Sequence, residues 1–288
     1  MIVSSHQLNN EQLLQLDGLC AECKQIDRHQ VAIYRHLLSQ YRMLPNNVLY
    51  YEDQLLIGFL STFYFQENEC EISIMVSPSS RRQGIARQMI RHILPLIKSQ
   101  KITMILVSSP SHFNDLWLTK CDFEYQYSEY QMQHLLDAPL PKSNSILSIR
   151  QATKHDLHAL LHMDKQCFPT QHTAMSHRFQ HMLDDDSYQL WIAEKNKRPI
   201  GKVHLVMQKE GARLTDLAIL PQYQRHGFGS ELVRYAIHLC QRLGYTYLSL
   251  DVETKNLQAL NLYNRLGFQI VNACDFWSIP MNLFEAKI

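Results

Sequence analysis

Apolar positions along the chain recur with two periods, and the changes of period mark out the elements. Leu13, Leu14, Leu16, Leu19, Cys20 and Cys23 fall at helical spacing and predict a helix over 11–27, followed by a second over 29–42. A β-rich block comes next, with strands at 47–53, 54–66 and 71–76, the last closed by Ser77 and Pro78. Helical spacing returns over 81–98, carried by Ile85, Met89, Ile90, Ile93, Leu94 and Ile97. The unbroken apolar run at 102–107 reads as a strand at a buried sheet centre. A short helix at 113–118 and strands within 124–136 complete this half.

Residues 137–145 set two prolines among Ser and Asn and mark a linker. The pattern then starts again. A strand at 146–150 precedes helices at 154–167 and 174–183, and strands follow at 188–194, 200–208 and 212–220. A helix at 227–243, a strand at 246–252, a helix at 257–266 and strands within 268–281 close the chain. The expected division is a first domain at 1–137, a linker at 138–145 and a second domain at 146–288.

The two halves share a passage of strand, proline, turn, glycine and helix. In the first it reads Ile72-Ser-Ile-Met-Val-Ser-Pro78-Ser-Ser-Arg81-Arg-Gln-Gly84-Ile-Ala86. In the second it reads Thr215-Asp-Leu-Ala-Ile-Leu-Pro221-Gln-Tyr-Gln224-Arg-His-Gly227-Phe-Gly229. Gly84 and Gly227 lie 143 residues apart (227 − 84), almost half of the 288-residue chain, so the chain is an internal repeat. A helix that starts on such a turn leaves backbone N–H groups unpaired, and these donors with the helix dipole favour an anion. Glycine lets a ligand approach the backbone closely. Arg225 and His226, or Arg81 and Arg82, add positive potential. The passage is neither a Walker loop nor the dinucleotide glycine fingerprint.

The second copy is followed by Leu250-Asp251-Val-Glu253-Thr-Lys-Asn256-Leu-Gln-Ala259-Leu-Asn-Leu262-Tyr263-Asn-Arg-Leu-Gly267-Phe268. With the glycine turn, this resembles the signature of the GNAT (GCN5-related N-acetyltransferase) family over about 146–286, and the first half resembles it less fully. The resemblance implies an α+β fold of two tandem domains. Each is a mixed, mostly antiparallel twisted sheet flanked by helices and splayed between its fourth and fifth strands. It implies acetyl-CoA as cofactor, with no metal. The backbone of Leu217, Ala218 and Ile219 is expected to bond the pantetheine arm, and Asn256 to contact it. Gln224, Arg225, His226, Gly227, Phe228, Gly229 and Ser230 are expected to hold the pyrophosphate. In the first half Arg81, Arg82, Gln83, Gly84, Ile85 and Ala86 match the same seat.

The family reaction is attack of an amine on an acetyl thioester. The amine, with a reference pKa of about 10.4 for lysine, must lose a proton, and a thiolate must be met by a proton or hydrogen bond. Tyr263 suits the second task. Asp251, at the end of a buried strand, is the favoured base and Asp216 its rival, while Glu253 alternates to the same face as Asp251. A water chain in place of a direct base stays open. Aligning Phe123 with Phe268 puts Leu118 at Tyr263, Leu106 at Asp251, Ser111 at Asn256, Asn114 at Ala259 and Asp122 at Gly267. The first domain is therefore expected to be non-catalytic. Whether it binds CoA or is a structural partner stays open.

The expected acceptor is a protein or peptide amine, lysine or N-terminal, because Gln166-Cys167-Phe168-Pro169 and the polar turn after it look like the peptide-acceptor members. A small-molecule amine, or a CoA-binding regulatory or scaffold protein without turnover, are the alternatives. Composition narrows the field. Hydrophobic residues are 45% and charged residues 19%, which suits a packed core. A net charge of +1 gives no global attraction for nucleic acid or an anionic membrane. The apolar stretch at 55–65 is too short to span a bilayer as a helix, and the first residues lack the pattern of a signal peptide. Seven widely spaced cysteines fit free thiols in a reducing, cytoplasmic compartment. Cys20 and Cys23 are expected on an apolar helix face, and Trp117, Trp191 and Trp277 are expected to pack. The pairs His158/His162 and His177/His181 have metal-ligand spacing but no evident third ligand.

Overall fold

A computed structural model describes residues 1–137, 146–168 and 175–288. In chain order the elements are β1 (Ile2–Ser5), α1 (Asn10–Asp27), α2 (Arg35–Leu38), β2 (Asn47–Glu52), β3 (Leu55–Phe63) and β4 (Glu69–Val76). Then come α3 (Ile85–Ser99), β5 (Met104–Pro110), α4 (Asp115–Lys120) and β6 (Glu124–Leu135). The repeat continues with β7 (Ser148–Gln151), α5 (Leu157–Cys167), α6 (Met175–Asp184), β8 (Tyr188–Lys195), β9 (Arg198–Met207) and β10 (Gly211–Ile219). It ends with α7 (Phe228–Arg242), β11 (Tyr247–Glu253), α8 (Leu257–Arg265), β12 (Gln269–Pro280) and α9 (Met281–Lys287).

These elements form two compact units, Met1–Tyr130 with Asn272–Ile288, and Gln131–Val271. The linker expected at 138–145 lies outside the described residues. The units part after Tyr130 instead, and the tail from Asn272 belongs with the first. Ladder partners explain this, because a strand lies where its backbone hydrogen bonds are. β12 pairs antiparallel with β5 from Cys274↔Pro110 to Pro280↔Met104, so the first unit is completed by the end of the chain.

Unit 1 has the strand order β1-β2-β3-β4-β5-β12-β6 and unit 2 the order β6-β11-β10-β9-β8-β7. Each contains one parallel pair, β4–β5 and β10–β11, beside antiparallel ones. This is the expected mixed, mostly antiparallel sheet flanked by helices, twice. In unit 1, α3 buries Ile85, Met89, Ile93 and Ile97 on one face of the sheet, against Leu60, Ile72 and Ile105. α1 buries Leu13, Leu16, Leu19 and Cys23 on the other, against Leu49, Phe59 and Phe63. In unit 2, α7 buries Leu232, Val233, Ala236 and Ile237, while α5 and α6 pack Leu160, Met163 and Phe179 on Leu190 and Ile192.

The helix expected over 29–42 shrinks to the four residues of α2. Arg28 turns to φ 68, and the backbone beyond it bonds sideways. Gln30 exchanges hydrogen bonds with the Asn272 carboxamide and the Ala32 N–H donates to Ser108 Oγ, so tertiary partners replace the helical ladder. Trp277 is buried and Trp191 packs on Tyr235, but Trp117 is 59% exposed on α4. Cys23 is buried as expected, and Cys20 lies beside Met75, its thiol pushed up to about 12 chiefly by burial.

A second glycine pair, Gly58 and Gly201, repeats at the same offset of 143 (201 − 58). Each faces the last paired residue of the next strand, Val76 or Ile219. A Cβ on Gly201 would lie 2.4 Å from Ile219 Cδ1 and 2.8 Å from the Ala218 carbonyl oxygen, so the strand must be bare there.

β7 is joined to α5 through Asp156, whose carboxylate takes both Nη atoms of Arg150 at 2.8 and 2.7 Å and the N–H and hydroxyl of Thr153. Chiefly through the Arg150 bonds, its pKa is held down at about 2. Asp156→Ala is expected to lower stability by about 1 kcal/mol at pH 7, the usual loss for such a cap. A depressed pKa stabilises fully above the unfolded value near 3.9 and loses that contribution as pH falls to about 2. Urea unfolding should therefore show the gap between wild type and variant closing over that window.

Candidate functional site

The site in unit 2 starts from a ladder that stops. β10 pairs with β11 only at Gly211↔Tyr247, Ala212↔Leu248 and Arg213↔Ser249. Both strands run on, β10 to Ile219 along β9 and β11 to Glu253. Beyond Ser249 the two strands are therefore unpaired with one another, and the β10 edge at 214–219 faces that opening. On its β9 side β10 carries a bulge. Thr215 pairs with His204 and Ala218 with Lys202, leaving one extra residue, and Asp216 takes φ 48.

The chain leaves β10 through Pro221 and enters α7 at Gly227, whose φ of 86 lies in the left-handed region. Glu231 N–H donates to the Gly227 carbonyl, so the preceding amides of Phe228, Gly229 and Ser230 have no intrahelical acceptor and no side chain caps them. A Cβ on Gly227 would meet nothing within 4 Å, so the space over these donors is open. Arg225 takes φ 62 and, with Gln258, Asn261, Asn264 and Arg265, lines an open groove of about 650 Å³. The groove thus carries two guanidinium groups and three carboxamides, and the helix start adds three amide donors without helical acceptors.

Other expected seat residues do different work. The Gln224 side chain donates to the Ile219 carbonyl at 2.9 Å, and the Cys167 thiol reaches the same oxygen at 3.5 Å. Unit 1 repeats both contacts, with Arg81 Nε and the Cys23 thiol on the Val76 carbonyl. The first position of the turn motif thus fastens the strand end. His226 Nδ1 donates to the Gln224 carbonyl and the ring stacks on Phe228. Asn256 caps α8, its Oδ1 accepting from Ala259 N–H.

Tyr263, on the inner face of α8, is 7% exposed and packs on Phe268. Burial pushes its phenol up to about 12, so it stays protonated through neutral pH. Asp251 forms an ion pair with Arg213 across the β10–β11 pair. Asp216 is engaged differently. Burial raises its pKa, but the hydrogen bond from His204 and the charges of Arg178 and Lys202 outweigh this and hold it well below the usual carboxylate range. The carboxylate only accepts, so His204 Nδ1 carries the proton of the 3.0 Å bond. Burial pushes the His204 pKa down, keeping the ring neutral.

Beside this pair, Lys202 is fully buried with its Nζ 2.5 Å from Asp164, over the rings of Phe179 and Phe168. Sequence reasoning passed over Lys202, His204, Arg178, Arg213 and Arg265. The signal for the first two was there, since they interrupt one face of an otherwise apolar strand at alternate positions.

In unit 1 the β4–β5 ladder covers four pairs, ending at Ile72↔Val107, and the strands then part as in unit 2. Arg82 and Gly84 repeat the backbone of Arg225 and Gly227, with φ 62 and 80. Gln83 and the start of α3 at Ile85 and Ala86 continue the turn. A cavity of about 220 Å³ lies between Ile74–Val76 and Val107–Pro110, closed at one side by Arg81 bound through both Nη atoms to Asp27. Phe123 N–H bonds the Leu118 carbonyl as Phe268 N–H bonds that of Tyr263, which fixes the register. Leu118 therefore stands where unit 2 has its phenol, but the ladders set Leu106, opposite Glu71, at Ser249, opposite Arg213, so Ser108 and not the expected Leu106 answers Asp251. Among the described residues His112, Asp115 and Asp275 are near enough to share a metal ion, but both Asp275 oxygens already accept from Ser111, Ser128 and the His112 amide.

A model of the acetyltransferase (GNAT) family matches residues 11–123 and again 157–268. A putative ribosomal-protein-bS18-alanine N-acetyltransferase of Bacillus subtilis is 28% identical over 123 residues, 42% of this chain and 80% of that protein. Rat N-acetyltransferase 8B is 30% identical over 104 residues, 34% of this chain, and the match spans 47% of that protein, under half its length. A solved tandem GNAT protein from the clavulanic acid biosynthesis pathway superposes with a TM-score of 0.70 over 98% of both chains at 13% identity, a likeness of fold.

The Lys202–Asp164 pair makes a test of the packing under the site. Lys202→Ala leaves Asp164 buried without its cation and is expected to cost about 3–5 kcal/mol in urea unfolding, while Lys202→Met with Asp164→Leu should recover most of that.

Proposed function

The chain belongs to the acetyltransferase (GNAT) family, and from that premise we propose that unit 2 transfers acetyl from acetyl-CoA to an amine of a protein or peptide. The observation that carries this is the coincidence, in one unit, of the opened strand pair, the uncapped helix start and a buried protonated phenol. The residues fit the cofactor. The amides of Phe228, Gly229 and Ser230 with Arg225 and Arg265 suit its phosphates. The unpaired edge at Leu217, Ala218 and Ile219 suits an amide-bearing arm, and the Asn256 side-chain NH₂ is available to it. Acetyl-CoA supplies the activated acyl group.

In this reading Tyr263 holds a proton at its phenol oxygen for the departing thiolate. Asp216 is a poor proton acceptor, because its neighbours hold it ionised. Asp251 is the base, aided by Arg213 in orientation or by an intervening water. Unit 1 has Leu118 at the phenol position and Ser108 at that of the carboxylate, and is non-catalytic. A peptide acceptor is favoured by the likeness to the bS18-alanine enzyme. A second reading, CoA binding without turnover, has one observation behind it, since Asp251 and Asp216 both already hold cationic or N–H partners.

Tyr263→Phe is expected to lower kcat by more than tenfold with CoA affinity little changed. Unchanged turnover would remove the acid role. Calorimetric titration with acetyl-CoA, followed by a CoA-release assay on N-terminal and lysine peptides, separates the two readings, because binding without release on any peptide supports the second. The same titration counts seats. Two per chain, falling to one in Gly84→Trp, is expected if unit 1 binds CoA, since a side chain at Gly84 projects into open space over the helix start.

A further inference from the structure

The charged groups around Asp216 are unequal, and the inequality points to a replaceable cation. His204 is fully buried and bonds Asp216 Oδ2 through Nδ1 at 3.0 Å, while its Nε2 has no partner among the described residues. Being neutral, it orients the carboxylate without balancing its charge. Lys202 is also fully buried, but its Nζ is engaged by Asp164. Among the described residues the charge of Asp216 is therefore met directly by Arg178 alone, from α6, and Arg178 is 47% exposed.

That contact is loose. Arg178 reaches Asp216 through one nitrogen, Nη2, at 3.2 Å. Arginines with structural roles in this chain grip a carboxylate with two nitrogens, Arg81 on Asp27 at 2.7 Å twice and Arg150 on Asp156 at 2.8 and 2.7 Å. Bidentate pairs are the strong form of this interaction, and a single contact from an exposed side chain is worth little. Asp216 itself retains 15% exposure. It sits on the bulge of β10, at the start of the stretch that β11 leaves unpaired. A carboxylate kept ionised, oriented from behind by a neutral buried imidazole and covered by a weakly held guanidinium has the form of an ammonium seat with an internal stand-in.

We propose that Asp216 receives the protonated amine of the acceptor, an alkylammonium of the lysine type, and that Arg178 occupies this seat until the acceptor displaces it. The proposal rests on the acetyl-transfer reading above and assigns Asp216 to acceptor recognition. His204 is its positioning residue.

The test uses the full chain saturated with CoA, titrated with Nα-acetyl-lysine amide and with its uncharged counterpart Nα-acetyl-norleucine amide, followed by NMR. The lysine compound is expected to bind at least tenfold more tightly. Arg178→Ala should tighten it by about three- to fivefold, because an internal competitor worth one exposed ion pair is removed. Asp216→Asn should erase the preference for lysine. Equal binding of the two compounds overturns the proposal, as does weaker or unchanged lysine binding in Arg178→Ala, an exposed substitution that leaves the fold intact. CoA binding is measured on the same samples. Its absence removes the acetyl-transfer reading and this inference with it, whereas CoA binding without lysine preference removes this inference alone.

Discussion

The constraint on which the rest of unit 2 depends is the short ladder between β10 and β11. Parallel strands that part after three pairs leave backbone donors and acceptors that a continued sheet would have used. Such groups persist only where water or a ligand meets them. The bulge at Asp216 and the turn to Gly227 follow from the same parting, since β10 must bend away from β11 while staying paired with β9. Gly201, bare opposite Ile219, and the two side chains on the Ile219 carbonyl secure the bent end. The opening is held by specific contacts, and unit 1 uses the same set at Gly58, Val76, Arg81 and Cys23.

What separates the units is chemistry on that shared frame. Unit 2 carries Tyr263 on α8 and Asp251 past the last β10–β11 pair, and buries Lys202 and His204 on β9. Burying charge is costly unless it is paired, and the pairings here are complete for Lys202 but partial around Asp216. Unit 1 has Leu118 and Ser108 at the corresponding positions and an Arg81–Asp27 pair beside its smaller cavity. Both units keep the frame, because its backbone geometry depends on glycines and carbonyl fastenings that they share.

Much of this was legible in the sequence. The glycine offset of 143 exposed the repeat, and the alignment of Phe123 with Phe268 placed Leu118 opposite Tyr263, a register that the backbone bonds of both residues reproduce. Three things were not legible, each for a physical reason. Apolar periodicity over 29–42 resembles a helix, but the backbone there bonds Asn272 and Ser108, partners far away in sequence. The placement of Asn272–Ile288 in the first unit is set by ladder partners, which no local pattern encodes. The motif position held by Arg81 and Gln224 was read as a phosphate contact, whereas the side chain turns back to a strand carbonyl. A motif shows which residue type recurs, and only geometry shows which neighbour it serves.

The central claim is that the parted strands and the uncapped helix start of unit 2 form the acetyl-CoA seat. Amide hydrogen exchange of the full chain with and without acetyl-CoA addresses it directly. The account predicts slowed exchange over 214–220 and at Phe228, Gly229 and Ser230, with 188–194 at the far strand unchanged. Binding that leaves those amides exchanging at their original rates, with protection elsewhere in the chain, would contradict it.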